Sequence, residues 1–151
     1  MDIRQKRSEI SMKQGLTSDR IPPVFGPYCS AVAVGDMIFI SGNAGFDKNQ
    51  RLVGGGDVKE ETRQALENIK MLLEDNGACL DDIVRTTVYL SDIALWNDFN
   101  EAYAPFFKEP YPARTCVGCQ LNGFLVELEC TAVRGRAAGL DSLTGREKRN
   151  D

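Results

Sequence analysis

The chain has 151 residues, 42% hydrophobic and 26% charged, with a formal net charge of -4; that suits one soluble domain able to bury a core without disulfides or metal. The acidic balance disfavours a nucleic-acid partner, and no apolar run nears the roughly 18 residues of a membrane span. Histidine is absent, which excludes a Ser-His-Asp triad, a Cys-His pair, an HExxH zinc site and the histidine pair of metal-free ribonucleases.

In chain order, residues 1–15 are polar and charged without a sustained pattern and read as a loose N-terminal extension, with one further strand expected near residues 10–15. They lack the apolar core of a signal peptide, so a cytoplasmic protein is expected. The segment CSAVAVGDMIFISG places two apolar runs around Gly35-Asp36 and predicts a β-hairpin. Asp57 is placed to cap a helix, with Glu60 completing a capping-box-like pattern; Val58, Thr62, Ala65, Leu66, Ile69, Leu72 and Leu73 form its buried stripe, and Asn76-Gly77 ends it.

Ile83–Leu90 is rich in β-branched residues and predicts a strand. A second helix is expected from Ala94 to Lys108, burying Trp96, Phe99, Tyr103, Phe106 and Phe107, its last turn distorted by Pro105. Ala113–Cys119 and Leu125–Arg134 predict two more strands. The domain, residues 16–136, therefore reads β-β-α-β-α-β-β, an α+β layer with two helices on one sheet face. In so short a chain, another subunit is the obvious cover for the other face. Residues 137–151 read as a loose tail.

Several residues could carry chemistry. Arg114 opens a strand after a proline-fixed turn, and its planar fork matches a carboxylate; a structural ion pair would use the same residue. Glu127 and Glu129 share one strand face, and either could act as a base or belong to a solvated face; alternation does not choose between them. Gly26-Pro27-Tyr28 presents an aromatic hydroxyl, or a tyrosine half-buried at a hairpin start. Ser41-Gly42-Asn43 offers close backbone approach to a ligand, or a simple bulge. Asn100 is polar on an aromatic helix and either caps a cleft or faces solvent. The five cysteines, an odd number, are expected to be reduced, several of them buried. Cys116 and Cys119 match CxxC, but on a strand their side chains face opposite sides and no further metal ligands accompany them.

Together these fragments resemble the Rid/YjgF family, once described as L-PSP endoribonucleases. The resemblance rests on Gly26-Pro27-Tyr28, Ile40-Ser41-Gly42, the run from Glu61 to Asn68, that from Asp82 to Val88, that from Phe99 to Tyr103, Pro112 to Val117, and Val126 to Glu129. They follow the family order over about residues 20–134. The resemblance implies a chorismate-mutase-like fold and a homotrimer whose sheets form a central barrel, with sites at the subunit interfaces. It implies hydrolysis of 2-aminoacrylate-type enamines and imines to 2-keto acids and ammonia, without a cofactor or metal. Carried over, Arg114 would bind the substrate carboxylate, the Cys116 carbonyl would help place the water and Glu127 would orient it. Tyr28, Ser41, Gly42 and Asn100 would line the pocket. Two departures stand out. Asn43 replaces a common glutamine, and the loop over 118–125, GCQLNGFL, is about two residues shorter than usual and lacks its basic residue and proline. The rival readings are an endoribonuclease acting on single-stranded RNA, disfavoured by the charge and the lack of a basic aromatic groove, and a non-catalytic small-ligand or chaperone-like binder.

Overall fold

The computed structural model describes residues 12–136. The expected tail, and the extension up to residue 11, lie outside the described residues. Six strands form one sheet: β1 (Gln14–Leu16), β2 (Ala31–Val34), β3 (Met37–Asn43), β4 (Ile83–Leu90), β5 (Ala113–Gly118) and β6 (Val126–Val133). Two helices, α1 (Val58–Glu74) and α2 (Trp96–Tyr103), interrupt them. Strand order is β1-β2-β3-β6-β4-β5. Only β4 and β5 pair in parallel, and α2 lies in the crossover such a pair requires. The further strand expected near residues 10–15 is β1. It takes in Gln14 and Gly15, which the domain boundary at residue 16 leaves in the extension.

The hairpin forms where two apolar runs flank Gly35, whose φ of 58° is cheap only for glycine at this turn. Asp57 caps α1 by accepting from the Lys59 and Glu60 amides at 2.9 and 3.5 Å. The capping box is not closed: the Asp57 amide donates to the Gly54 carbonyl, and the Glu60 carboxylate turns outward to Arg63. The α1 stripe packs as its periodicity predicts, with Ala65, Leu66, Ile69, Leu72 and Leu73 essentially inaccessible. Against it lie Ala31, Ala33, Ile38, Ile40, Val88, Leu128 and Ala132 of the sheet. Full burial of each large side chain contributes roughly 1.5–3 kcal/mol.

The second helix is shorter than its sequence pattern. Regular α-helix covers only eight residues, and single 3-10 turns flank it at Ile93–Leu95 and Ala104–Phe106. Pro105 has no N–H to donate and tightens the end. Phe99, Tyr103 and Phe107 are buried as expected, but Trp96 is 44% exposed. It is the first residue of the helix.

The other sheet face is open in the single chain. Val34, Met37, Phe39 and Val117 are exposed there, with Val34 opposite Met37 and Phe39 opposite Thr131. An apolar face of this kind marks an interaction surface. All five cysteines are free, but only Cys130 is fully buried, where burial pushes its thiol up to about 12. Cys116 lies on β5 and Cys119 just beyond its end. Among the described residues no cluster of three or more His, Cys, Asp or Glu could hold a metal ion, and no helix is long and apolar enough to cross a membrane.

Candidate functional site

The site begins with a flaw in the β3–β6 ladder. Ile40 pairs with Cys130 and Asn43 with Leu128, so three steps along β3 match two along β6. The extra residue is a bulge at Ser41-Gly42, a device that re-aims side chains beside functional sites. It turns Gly42 toward β6, where the Glu127 side chain fills the space that a side chain at 42 would need. A Cβ on Gly42 would lie 2.4 Å from Glu127 Oε1 and 2.9 Å from its Cδ. Gly42 thus makes room for a carboxylate.

An open cleft surrounds that carboxylate, lined among others by Tyr28, Ser41, Gly42, Asn43 and Glu127. The Ser41 hydroxyl donates to the Cys29 carbonyl at 2.6 Å, which ties the bulge to the loop before β2. The Tyr28 hydroxyl accepts from the Phe25 amide at 3.3 Å, closing that loop on itself. Asn43 Nδ2 donates to the Ser41 carbonyl at 2.8 Å, so this side chain braces the bulge. Partial burial raises the Glu127 carboxyl above the ordinary carboxylate range, and the negative charge of Glu129 adds to the shift. Glu129 itself is exposed and accepts from the Tyr89 hydroxyl at 2.7 Å. The two glutamates that alternation leaves equivalent are thereby distinguished: one is committed to a tyrosine and the other faces a cleft.

Arg114 lies elsewhere. It opens β5, opposite Thr86 of β4, and Thr86 is a buried residue whose hydroxyl shares a 3.0 Å hydrogen bond with that of Tyr103. Arg114 therefore shares the helix face of the sheet. Its guanidinium lies 4.9 Å from the Tyr103 ring centre, 5.4 Å from Phe99 and 5.8 Å from Trp96. Cation–π contacts hold it, and no carboxylate of the described residues lies within ion-pair distance. The planar fork is thus oriented without being consumed by a structural ion pair. Cys116, two residues on, lies on the same face, its thiol pushed up by burial and pulled back in part by Arg114. Asn100, half-buried, follows Trp96 and Phe99 on the α2 face that meets Arg114, by its i, i+4 spacing from Trp96.

The seven candidate residues thus fall into two groups. Tyr28, Ser41, Gly42 and Glu127 line one cleft; Arg114, Cys116 and Asn100 lie on the other side of the sheet. Among the described residues no Lys or Arg lines the Glu127 cleft. The structure also adds residues that motif reading passes over. Glu61 is fully buried and accepts from the Leu125 amide at 2.8 Å, fixing the entry to β6 two residues before Glu127. Its signal was available, because Glu61 falls on the α1 stripe between Val58 and Ala65. Asn68 holds the Phe46 carbonyl at 2.8 Å. Phe25, Phe46 and Phe124 wall the cleft, and their meeting has no local signature.

Residues 18–134 match the family model described as Endoribonuclease L-PSP. The chain belongs to the Rid/YjgF family. Within it, the chain is 37% identical over 124 residues to a RutC family protein of Pyrococcus abyssi, covering 81% of this chain and 98% of that one. It is 36% identical over 126 residues to the human 2-iminobutanoate/2-iminopropanoate deaminase, covering 82% and 92%. The crystal structure of RidA from the Antarctic bacterium Psychrobacter superposes with a TM-score of 0.75 at 36% identity, over 80% of this chain and 98% of that one. Escherichia coli TdcF, crystallised with bound serine, gives 0.74 at 31% identity, over 80% and 98%. The Rid/YjgF fold expected from the sequence, one mixed sheet with both helices on a single face, is the fold found.

Proposed function

We propose that this Rid/YjgF chain hydrolyses enamine and imine forms of 2-amino acids to 2-keto acids and ammonia, at sites that two protomers of a homotrimer complete. The relatives named as 2-iminobutanoate/2-iminopropanoate deaminases support the reaction class. The observation that carries the reading is the separation of charges. Among the described residues the Glu127 cleft contains a carboxylate and no cation, while Arg114, across the sheet, presents a guanidinium with no carboxylate in ion-pair reach. An imino acid needs both, a cation for its carboxylate and a base for its water, so each protomer supplies half a site.

In this scheme Arg114 of one protomer takes the substrate carboxylate in a bidentate, charge-assisted pair. The enamine tautomerises to the imine. Water then bonds to the imine carbon as Glu127 of the neighbour accepts its proton, and that proton passes to the nitrogen. The hydroxyl proton of the resulting carbinolamine then passes, again by way of Glu127, to the nitrogen; the C–N bond breaks as the C=O forms, ammonia leaves and the keto acid remains. A carboxyl raised toward neutrality is a better base than an ordinary surface glutamate, and a fixed carboxylate supplies the orientation. Cys116, Tyr28, Ser41 and Asn100 complete the lining.

The test combines two inactive variants. Arg114→Ala and Glu127→Gln should each abolish hydrolysis of a dehydratase-generated enamine while the oligomer persists. Co-refolded in equal amounts, they should recover about a quarter of wild-type activity, because random assembly pairs an intact arginine with an intact glutamate at about one interface in four. Full activity of Arg114→Ala refutes the anchor, and mixed assemblies with no activity refute the shared site. An RNase activity that survives Arg114→Ala after rigorous purification would belong to a contaminant or to another site.

A further inference from the structure

The aromatic wall of the Glu127 cleft has no part in the chemistry just described. Phe25 comes from the loop before β2, Phe46 from the loop after β3, and Phe124 from the turn entering β6. The rings meet edge to face, with centres 6.0 Å apart for Phe25–Phe46 and 5.9 Å for Phe46–Phe124. Pro22, Pro23 and Val24 extend the wall. Phe25 is 63% exposed in the single chain, so its ring is not consumed by the protomer's own core. Phe46 is braced from behind through the Asn68 bond to its carbonyl. Phe124 belongs to the segment between β5 and β6, which carries no basic residue.

The direction of the substrate follows from charge. Hydrolysis requires the imine carbon within reach of a water at Glu127. The substrate carboxylate must point out of the cleft, since no cation of the described residues lines it and Glu127 repels it. The substituent left to enter the cleft is the amino-acid side chain, and the surface it meets is phenyl, proline and valine. Apart from Tyr28, Glu127 is the only titratable side chain there among the described residues, so an acidic side chain would be repelled.

Resting on the deaminase reading above, we infer that the chain is tuned to imino acids with bulky apolar side chains, aromatic ones foremost. Phe25 and Phe124 are then its specificity-determining residues. Apolar contact discriminates by roughly tenfold or more per well-fitted group, and edge-to-face ring contacts add to area burial.

The experiment uses the full chain and imines released by an L-amino-acid oxidase from L-phenylalanine, L-leucine, L-alanine and L-glutamate, with imine decay followed by semicarbazide trapping. The kcat/KM for the phenylalanine-derived imine should exceed that for the alanine-derived one by about tenfold, with the glutamate-derived imine slowest. Phe124→Ala should reduce the phenylalanine-to-alanine ratio by about fivefold or more. Phe25→Ala, an exposed position whose truncation spares the core, should do likewise. Rates that fall as the side chain grows, or a ratio unmoved in both folded variants, overturn this inference and leave the deaminase reading intact. Failure to hydrolyse any of the four imines overturns the deaminase reading and this inference with it.

Discussion

Gly42→Ala isolates the chemistry of the cleft from the stability of the fold. Gly42 is not held in the left-handed region, so alanine is tolerated by its backbone. The added Cβ would stand 2.4 Å from Glu127 Oε1, and ordinary contact begins at 3.4 Å, so the carboxylate must retreat by about 1 Å. The carboxylate is the free end of a flexible side chain beside an open cleft, and a rotation about its torsions provides that movement. Stability should therefore stay within about 1 kcal/mol of wild type, with the usual gain from replacing glycine offsetting the loss. Rate should not survive so well, because a displacement of about 1 Å at a reacting group can cost roughly a hundredfold. The assay pairs kcat/KM for a dehydratase-generated enamine with a thermal melt. Gly55→Ala, whose Cβ would meet nothing within 4 Å, is the control and should change neither. A Gly42→Ala protein with near wild-type kcat/KM would refute the role of Glu127. One that unfolds would refute the view that the glycine serves the carboxylate alone.

Gly45→Ala should behave in the opposite way. Its Cβ would meet the Glu61 Cα and carbonyl oxygen at 2.7 Å, backbone atoms of α1 that cannot rotate aside. Overpacking of this kind costs about 1–3 kcal/mol, a fall in Tm of roughly 4–12 °C for a domain of this size. Glu127→Gln should separate pH from fold. The Glu127 carboxyl is raised in the folded state, by burial first and then by Glu129. The folded chain therefore binds more protons than the unfolded one between the ordinary carboxylate range and the raised value, and stability falls as pH rises through that window. Above the window the neutral glutamine carries no such penalty. The variant should melt higher than wild type at neutral pH, with the difference closing as pH falls. A melt lower than wild type at neutral pH would contradict the shift.

The resemblance that places the chain in its family also singles out Glu127, but the residues themselves do not. On β6, alternation puts Glu127 and Glu129 on the same face with equal claims. The bulge across the ladder separates them, directing Gly42 at one while Tyr89 engages the other. The capping box is a similar case: Asp57 caps as the local pattern requires, yet Glu60 finds Arg63 instead of closing the box. Trp96 shows the limit of helical spacing, since the regular helix begins only at that residue and leaves it exposed.

Short-range order is what the chain alone determines. The Gly35 turn, the Asp57 cap, the 3.6-residue stripe of α1 and the period-two alternation of β6 are set by sterics and hydrogen bonding within a few residues. The tertiary structure decided whatever depends on strand order. With β6 next to β4 and β4 next to β5, Arg114 and Glu127 end on opposite faces of one sheet, and three phenylalanines distant in sequence meet at one wall. Strand pairing joins segments far apart in the chain, and no local window of sequence encodes which of them become neighbours.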